Sequence, residues 1–215
     1  MPINIVEPKS EPKLDNLPKF AVGIDLGTTN SLLAVCEDNK VKLITNPDDH
    51  STLFPSVFTS GNTTLRSTKR LMGKAYKEVT TFEHQFKFAE GLAPGDDAIL
   101  KLEDKVIHPI DVAAIILAQL KHRAEEEVGL EVEAAVVTVP AYFDEPARQA
   151  TKVASQKAGF KVTRLLSEPT AAALAYGLEI HPRGLFLVYD LGGGTFDISL
   201  LRIEDGVCQV LATGG

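Results

Sequence analysis

The stretch Val188-Tyr189-Asp190-Leu191-Gly192-Gly193-Gly194-Thr195-Phe196-Asp197-Ile198-Ser199 constrains the fold more than any other. Residues 185–189 are an apolar run of strand type, and a second strand resumes at residues 195–201. The three glycines between them predict a turn at φ values closed to other residues, with no side chains between backbone and ligand. The expected product is a hairpin whose tip offers bare N–H groups to an anion, with the Asp190 carboxylate beside it. Near the start, Gly23-Ile24-Asp25-Leu26-Gly27-Thr28-Thr29-Asn30-Ser31 follows the same grammar. Two copies of Asp-Leu-Gly, turn and strand form a weak internal repeat. They suggest two related halves that grip one phosphate-bearing ligand from opposite sides, each adding an acid near a metal. A merely structural turn is the alternative for either hairpin alone, but hairpin geometry needs no Asp at the strand end. Neither copy is a Walker loop, because no Gly-Lys-Ser/Thr follows. Neither fits the dinucleotide pattern, because a strand rather than a helix follows the glycines.

Composition narrows the classes. With 215 residues, 44% of them hydrophobic and 24% charged, the chain is long enough for one large or two small domains with a core. A net charge of −7 argues against a nucleic-acid partner, which needs a basic footprint. It does not argue against a nucleotide, whose charge is met locally by amides and a cation. Cys36 and Cys208 both fall in strand-like apolar runs, so buried free thiols in a reducing cytosol are expected. No apolar run is long enough to span a bilayer. Residues 1–19 lack the apolar core of a signal peptide and read as a flexible tail.

In chain order, residues 20–25, 31–37 and 41–45 predict an antiparallel meander, with a turn at Asp38-Asn39. Residues 54–58 read as a short edge strand. Residues 67–74 read either as a solvated basic helix or as a phosphate or partner contact. Residues 80–102 are mixed, with a clear turn at Ala93-Pro94-Gly95-Asp96-Asp97. His84 and His108 lack metal-ligand spacing. Residues 109–128 are the strongest helix, with Val112, Ile115, Ile116 and Leu120 on one face, Pro109 at the start and Gly129 at the stop. Residues 134–139 predict a central strand covered on both faces. Asp144 is a natural N-cap, with Pro146 in the first turn, for a helix to Ala158. Another strand follows at residues 160–166. Glu168-Pro169 opens a small-residue helix over residues 170–176, stopped by Gly177. The order predicts a mixed sheet with helices on its faces.

Four blocks carry a family resemblance: residues 24–31, Val139-Pro140-Ala141-Tyr142-Phe143, residues 168–177 and residues 189–197. Together they resemble the N-terminal part of the nucleotide-binding domain of the seventy-kilodalton heat-shock chaperones, across residues 20–215. The phrase Leu65-Arg66-Ser67-Thr68-Lys69-Arg70-Leu71-Met72-Gly73 resembles the HscA type, the specialised chaperone of bacterial iron–sulphur cluster assembly. The resemblance implies the actin-like ATPase fold of the ribonuclease H-like class: α/β, a mixed sheet with flanking helices, and two lobes around a nucleotide cleft. It implies a tail over residues 1–19, lobe I over 20–183, and the beginning of lobe II over 184–215. The family's domain is longer, so the adenosine-binding part and the peptide-binding domain are expected to lie outside this chain. A fragment with little nucleotide binding is therefore one alternative; an actin-like structural protein and a sugar kinase of the same superfamily are others.

The implied chemistry is hydrolysis of ATP to ADP and phosphate. Asp25 and Asp190 would hold Mg2+ through waters, with K+ as a second candidate cation. Gly27, Thr28, Thr29 and Asn30 would meet the phosphates from lobe I; Gly192, Gly193 and Gly194 would supply amides from lobe II, with Thr195 beside the γ-phosphate. Glu168 and Asp197 would orient the attacking water or close the lobes. From the residues alone, Glu168 is equally a helix-start carboxylate favoured by the dipole. The resemblance places Pro140 and Arg148 in a relay to the substrate domain and Arg164 in a contact with J-domain co-chaperones. The implied partners are such a co-chaperone and a client, an iron–sulphur scaffold; self-association through exposed surface is also expected. Residues 56–66 are too short for the segment expected to carry the lysine that positions water, so this lysine is expected to be lacking, with Lys69 and Arg70 outside its role.

Overall fold

The computed structural model describes residues 20–37, 40–47, 49–103, 105–176, 183–204 and 207–215. The tail over residues 1–19, the turn at Asp38-Asn39 and the stop at Gly177 lie outside the described residues. The expected meander is present as β1 (Ala21–Asp25), β2 (Asn30–Glu37) and β3 (Lys40–Leu43), paired antiparallel. Its inward positions are apolar: Val22 and Ile24 on β1, Leu33 and Val35 on β2, all nearly inaccessible.

The expected edge strand is split in two. β4 (Phe54–Pro55) pairs with β2, while β5 (Val57–Ser60) turns away to pair with β6 (Thr63–Arg66). Pro55 supplies no N–H, so it ends the ladder to β2. Residues 67–74 are not a solvated helix. They form a 3-10 turn, Thr68–Leu71, with Thr68, Leu71 and Met72 buried. Gly73 adopts φ 67°, and a Cβ there would lie 2.5 Å from the Pro146 carbonyl carbon, so glycine is required twice over. A single helical turn, α1 (Tyr76–Val79), and a hairpin of β7 (Leu100–Leu102) and β8 (Lys105–Ile107) complete this region. Between them, the expected turn closes with Ala93 N–H donating to Asp96 Oδ2 at 2.7 Å.

α2 (Pro109–Val128) matches the expected helix, with Pro109 in its first turn and Gly129 at φ 68° as the stop. Val112, Ile116, Leu117 and Leu120 are buried; Ile115 is only partly so. β9 (Ala134–Val139) is central, parallel to β1 on one side and to β10 (Val162–Ser167) on the other. The main sheet therefore runs β10-β9-β1-β2-β3, a mixed sheet. α3 (Glu145–Lys157) packs on α2, and the Asp144 carboxylate caps it by accepting from Ala147 N–H at 3.0 Å. α4 (Glu168–Tyr176) leads to a second antiparallel sheet, β11 (Arg183–Leu191), β12 (Phe196–Glu204) and β13 (Val207–Gly214). α4 contacts all three of these strands. The outer face of β11 presents Leu185, Leu187, Tyr189 and Leu191 to solvent.

Candidate functional site

Each sheet ends in a loop that follows an aspartate. Asp25 closes β1 in register with Thr138 of β9, whose hydroxyl donates to Asp25 Oδ1 at 2.7 Å. The chain then folds so tightly that a Cβ on Gly27 would lie 2.0 Å from the Asn30 carbonyl oxygen. In the second sheet, Asp190 stands directly across from Asp197, and Gly192 N–H donates to the Thr195 carbonyl at 2.9 Å. Gly192, Gly193 and Gly194 are not in the φ region closed to other residues, contrary to the expectation from their sequence. At Gly193 what requires glycine is proximity. A Cβ on Gly193 would lie 2.9 Å from Thr29 Oγ1, so the tip of one hairpin rests on the tip of the other.

Two adjoining cavities open at that contact. The first, about 360 Å³, is lined by Asp25, Gly27, Thr28, Thr29, Asn30, Glu168, Asp190, Gly192, Gly193, Thr195 and Asp197. Gly194 lines the second, about 690 Å³, which shares Thr28, Thr195 and Asp197 with the first. All the sequence-predicted site residues are thus brought together. Pro140 also lines the first cavity. Arg148 lies apart, donating through Nε to the Phe143 carbonyl at 3.0 Å, and Arg164 is exposed on the edge strand β10.

The expectation that the water-positioning lysine is lacking and that Lys69 lies outside its role meets a lysine in the cleft. Lys69, carried inward by the buried 3-10 turn, lines both cavities, and its Nζ donates to Glu168 Oε1 at 2.6 Å. Both side chains are largely buried, at 10% and 15% exposure. The turn, rather than residues 56–66 before it, delivers this lysine. Arg70 donates from Nη2 to the Gly194 carbonyl and stands 5.9 Å from the Phe82 ring centroid. Its Nε is buried without a hydrogen-bond partner. Tyr142 was also missed as a site residue: it lines both cavities, and burial, with Asp197 and Glu168 nearby, pushes its phenol up to about 12.

Acids outnumber cations here. Burial pushes the Glu168 carboxyl above the ordinary carboxylate value, Lys69 opposing and Asp25 and Asp190 adding to the rise. Burial and then Asp190 raise Asp197 as well. Crowded carboxylates of this kind fit a divalent cation, which would relieve their repulsion. Among the described residues no three acids, histidines or cysteines converge as a metal cage. Asp25 and Asp190, near the two strand ends, are oxygen donors of the kind a hard divalent ion takes alongside its waters.

Two aspartate-led hairpins thus meet over an acidic cleft in a mixed α/β chain. Comparison with known proteins is specific: the family model described as Hsp70 protein matches residues 21–215. The chain belongs to the Hsp70 family. It is 46% identical over 230 residues to a "Chaperone protein HscA homolog" of Cupriavidus metallidurans, covering 96% of this chain and 36% of that protein. It is 43% identical over 224 residues to one of Rickettsia rickettsii, covering 99% and 38%. A third, from Rickettsia felis, is 42% identical over 222 residues, covering 99% and 35%. The chain spans little more than a third of the length of these relatives. Among the described residues no helix is long and apolar enough to cross a membrane.

Proposed function

We propose that this chain is the ATP-binding and ATP-hydrolysing part of a molecular chaperone that couples nucleotide state to a client protein in iron–sulphur cluster assembly. The contact of Gly193 with Thr29, above Asp25, Asp190 and the Lys69–Glu168 pair, carries this reading. It is the arrangement a triphosphate needs: amides and hydroxyls from two sides, acids for a cation, and one buried ammonium group.

Phosphoryl transfer to water depends on positioning and charge neutralisation. Thr28, Thr29 and Asn30 meet the β- and γ-phosphates from lobe I, and Gly192, Gly193 and Gly194 donate amides from the other side, with Thr195 beside the γ-phosphate. Asp25 and Asp190 would hold Mg2+, which would neutralise phosphate charge. Lys69 supplies positive charge near the γ-phosphate, and Glu168 and Asp197 accept hydrogen bonds from the attacking water. K+ is a candidate second cation. A J-domain co-chaperone at Arg164 and an iron–sulphur scaffold client complete the cycle in the cytoplasm. Copies of the chain would associate through the exposed face of β11.

The test is titration calorimetry of the chain with Mg-ATP beside Asp190→Asn. Heat of binding that Asp190→Asn diminishes at least tenfold in affinity supports the reading. Equal binding by both, or none by the unaltered chain, refutes it.

A further inference from the structure

We infer that Ser56 is a positioning residue for the lobe I phosphate hairpin, acting through Thr29 and Ser31; this rests on the nucleotide reading above. Ser56 lies between β4 and β5, at the point where the chain leaves β2. Its N–H donates to the Thr29 carbonyl at 2.8 Å, and its hydroxyl pairs with Ser31 Oγ at 2.8 Å. Both serines are buried, at 5% and 0% exposure.

Packing alone does not explain them. Ser31 occupies the inward row of β2 with Leu33 and Val35, where an alanine would fill the space without bringing a polar atom. A buried hydroxyl without a partner is destabilising, so each serine is tolerated only because the other is present. What the pair does is visible from its neighbours. Thr29 is the residue on which Gly193 rests, and its carbonyl accepts from the Ser56 backbone N–H, while the Ser56 hydroxyl anchors that backbone to Ser31 of β2. Ser56 also lines the small cavity under the loop, together with Gly27, Thr28 and Lys69. It therefore fixes the height of the loop from below, between the hairpin tip and the lysine turn, without touching either ligand cavity.

The pairing of β4 with β2 is only two residues long, Asn30 with Pro55 and Ser31 with Phe54, so little else ties this segment to the loop. β2 itself is held by β1 and β3 whatever happens to Ser56. Removing the hydroxyl keeps the backbone bond to Thr29 but frees residue 56 from its side-chain anchor on Ser31, which should loosen the loop before it loosens the fold.

The experiment compares the unaltered chain, Ser56→Ala, Ser56→Thr and Ser31→Ala by Mg-ATP calorimetry and thermal denaturation. Loss of one buried hydrogen bond is expected to weaken Mg-ATP binding about fivefold in Ser56→Ala and in Ser31→Ala. Ser56→Thr keeps the hydroxyl and should recover most of that affinity, although its added methyl group lowers the melting temperature. A purely structural serine would behave otherwise: affinity would follow melting temperature, and Ser56→Thr would bind worst. That ordering, or undiminished binding by Ser56→Ala, overturns the inference alone. Failure of the unaltered chain to bind Mg-ATP overturns the nucleotide reading and this inference with it.

Discussion

Lys69 and Glu168, 99 positions apart in sequence, form a 2.6 Å ion pair at the floor of the cleft. Neither is exposed enough for water to replace the other. Lys69→Met leaves the Glu168 carboxylate buried and unpaired, and is expected to destabilise the chain by about 3 kcal/mol. Adding Glu168→Gln removes the stranded charge, and the double variant should regain more than half of the loss. Urea denaturation of the four chains measures this coupling. Additive losses would show that the two side chains do not meet.

Asp197 makes the cleft pH-sensitive. Burial and the facing Asp190 raise its carboxyl above the ordinary 3.8. Protonated Asp197 is thus favoured in the folded state, and its contribution to stability is complete below 3.8 and lost as pH rises through the raised value. Asp197→Asn cannot ionise. Its stability relative to the unaltered chain should therefore grow from acid toward neutral pH and then level off. Melting temperatures across that range give the result; a difference independent of pH would place the Asp197 carboxylate in a solvated site.

Much of this was legible because it is local. The Asp144 cap, Pro109, Gly129 and the Asp-Leu-Gly hairpins each announce themselves within a few residues, and the apolar run of β9 marks a central strand. The misreadings share another cause: long-range packing. Residues 67–74 look basic and solvated, yet Leu71 and Met72 drive the turn into the core and carry Lys69 with it. The glycines 192–194 look like φ > 0 residues, yet none of them is, and it is Thr29, far away in sequence, that demands the lack of a side chain at Gly193. No window of sequence contains both partners of either contact.

The glycines of the two hairpins should differ in tolerance. A Cβ on Gly27 would stand 2.0 Å from a backbone oxygen of Asn30, which can move only with the loop. On Gly192 the nearest atom would be Thr195 Oγ1 at 3.5 Å, an ordinary contact. Gly27→Ala is expected to cost about 1–3 kcal/mol, as overpacking does, and Gly192→Ala well under half as much. Chemical denaturation of both variants decides the matter, and equal losses would mean that the loop after β1 is less tight than its geometry indicates.

Tyr142 provides a spectroscopic handle on the same cleft. The half-buried ring faces Asp197 and Glu168, and its phenol is pushed up to about 12. A raised phenol gives stability that is complete below the ordinary value of 10.0 and lost as pH climbs toward 12. In an alkaline titration followed by tyrosinate absorbance, the last of the four tyrosines to ionise should therefore be missing from Tyr142→Phe. Tyr76 is also raised, by its hydrogen bond to Glu83, so Tyr76→Phe serves as the second assignment. If Tyr142→Phe removes an early step instead, the ring lies outside the acidic cleft, and the carboxylates proposed to hold the cation and the water do not surround it.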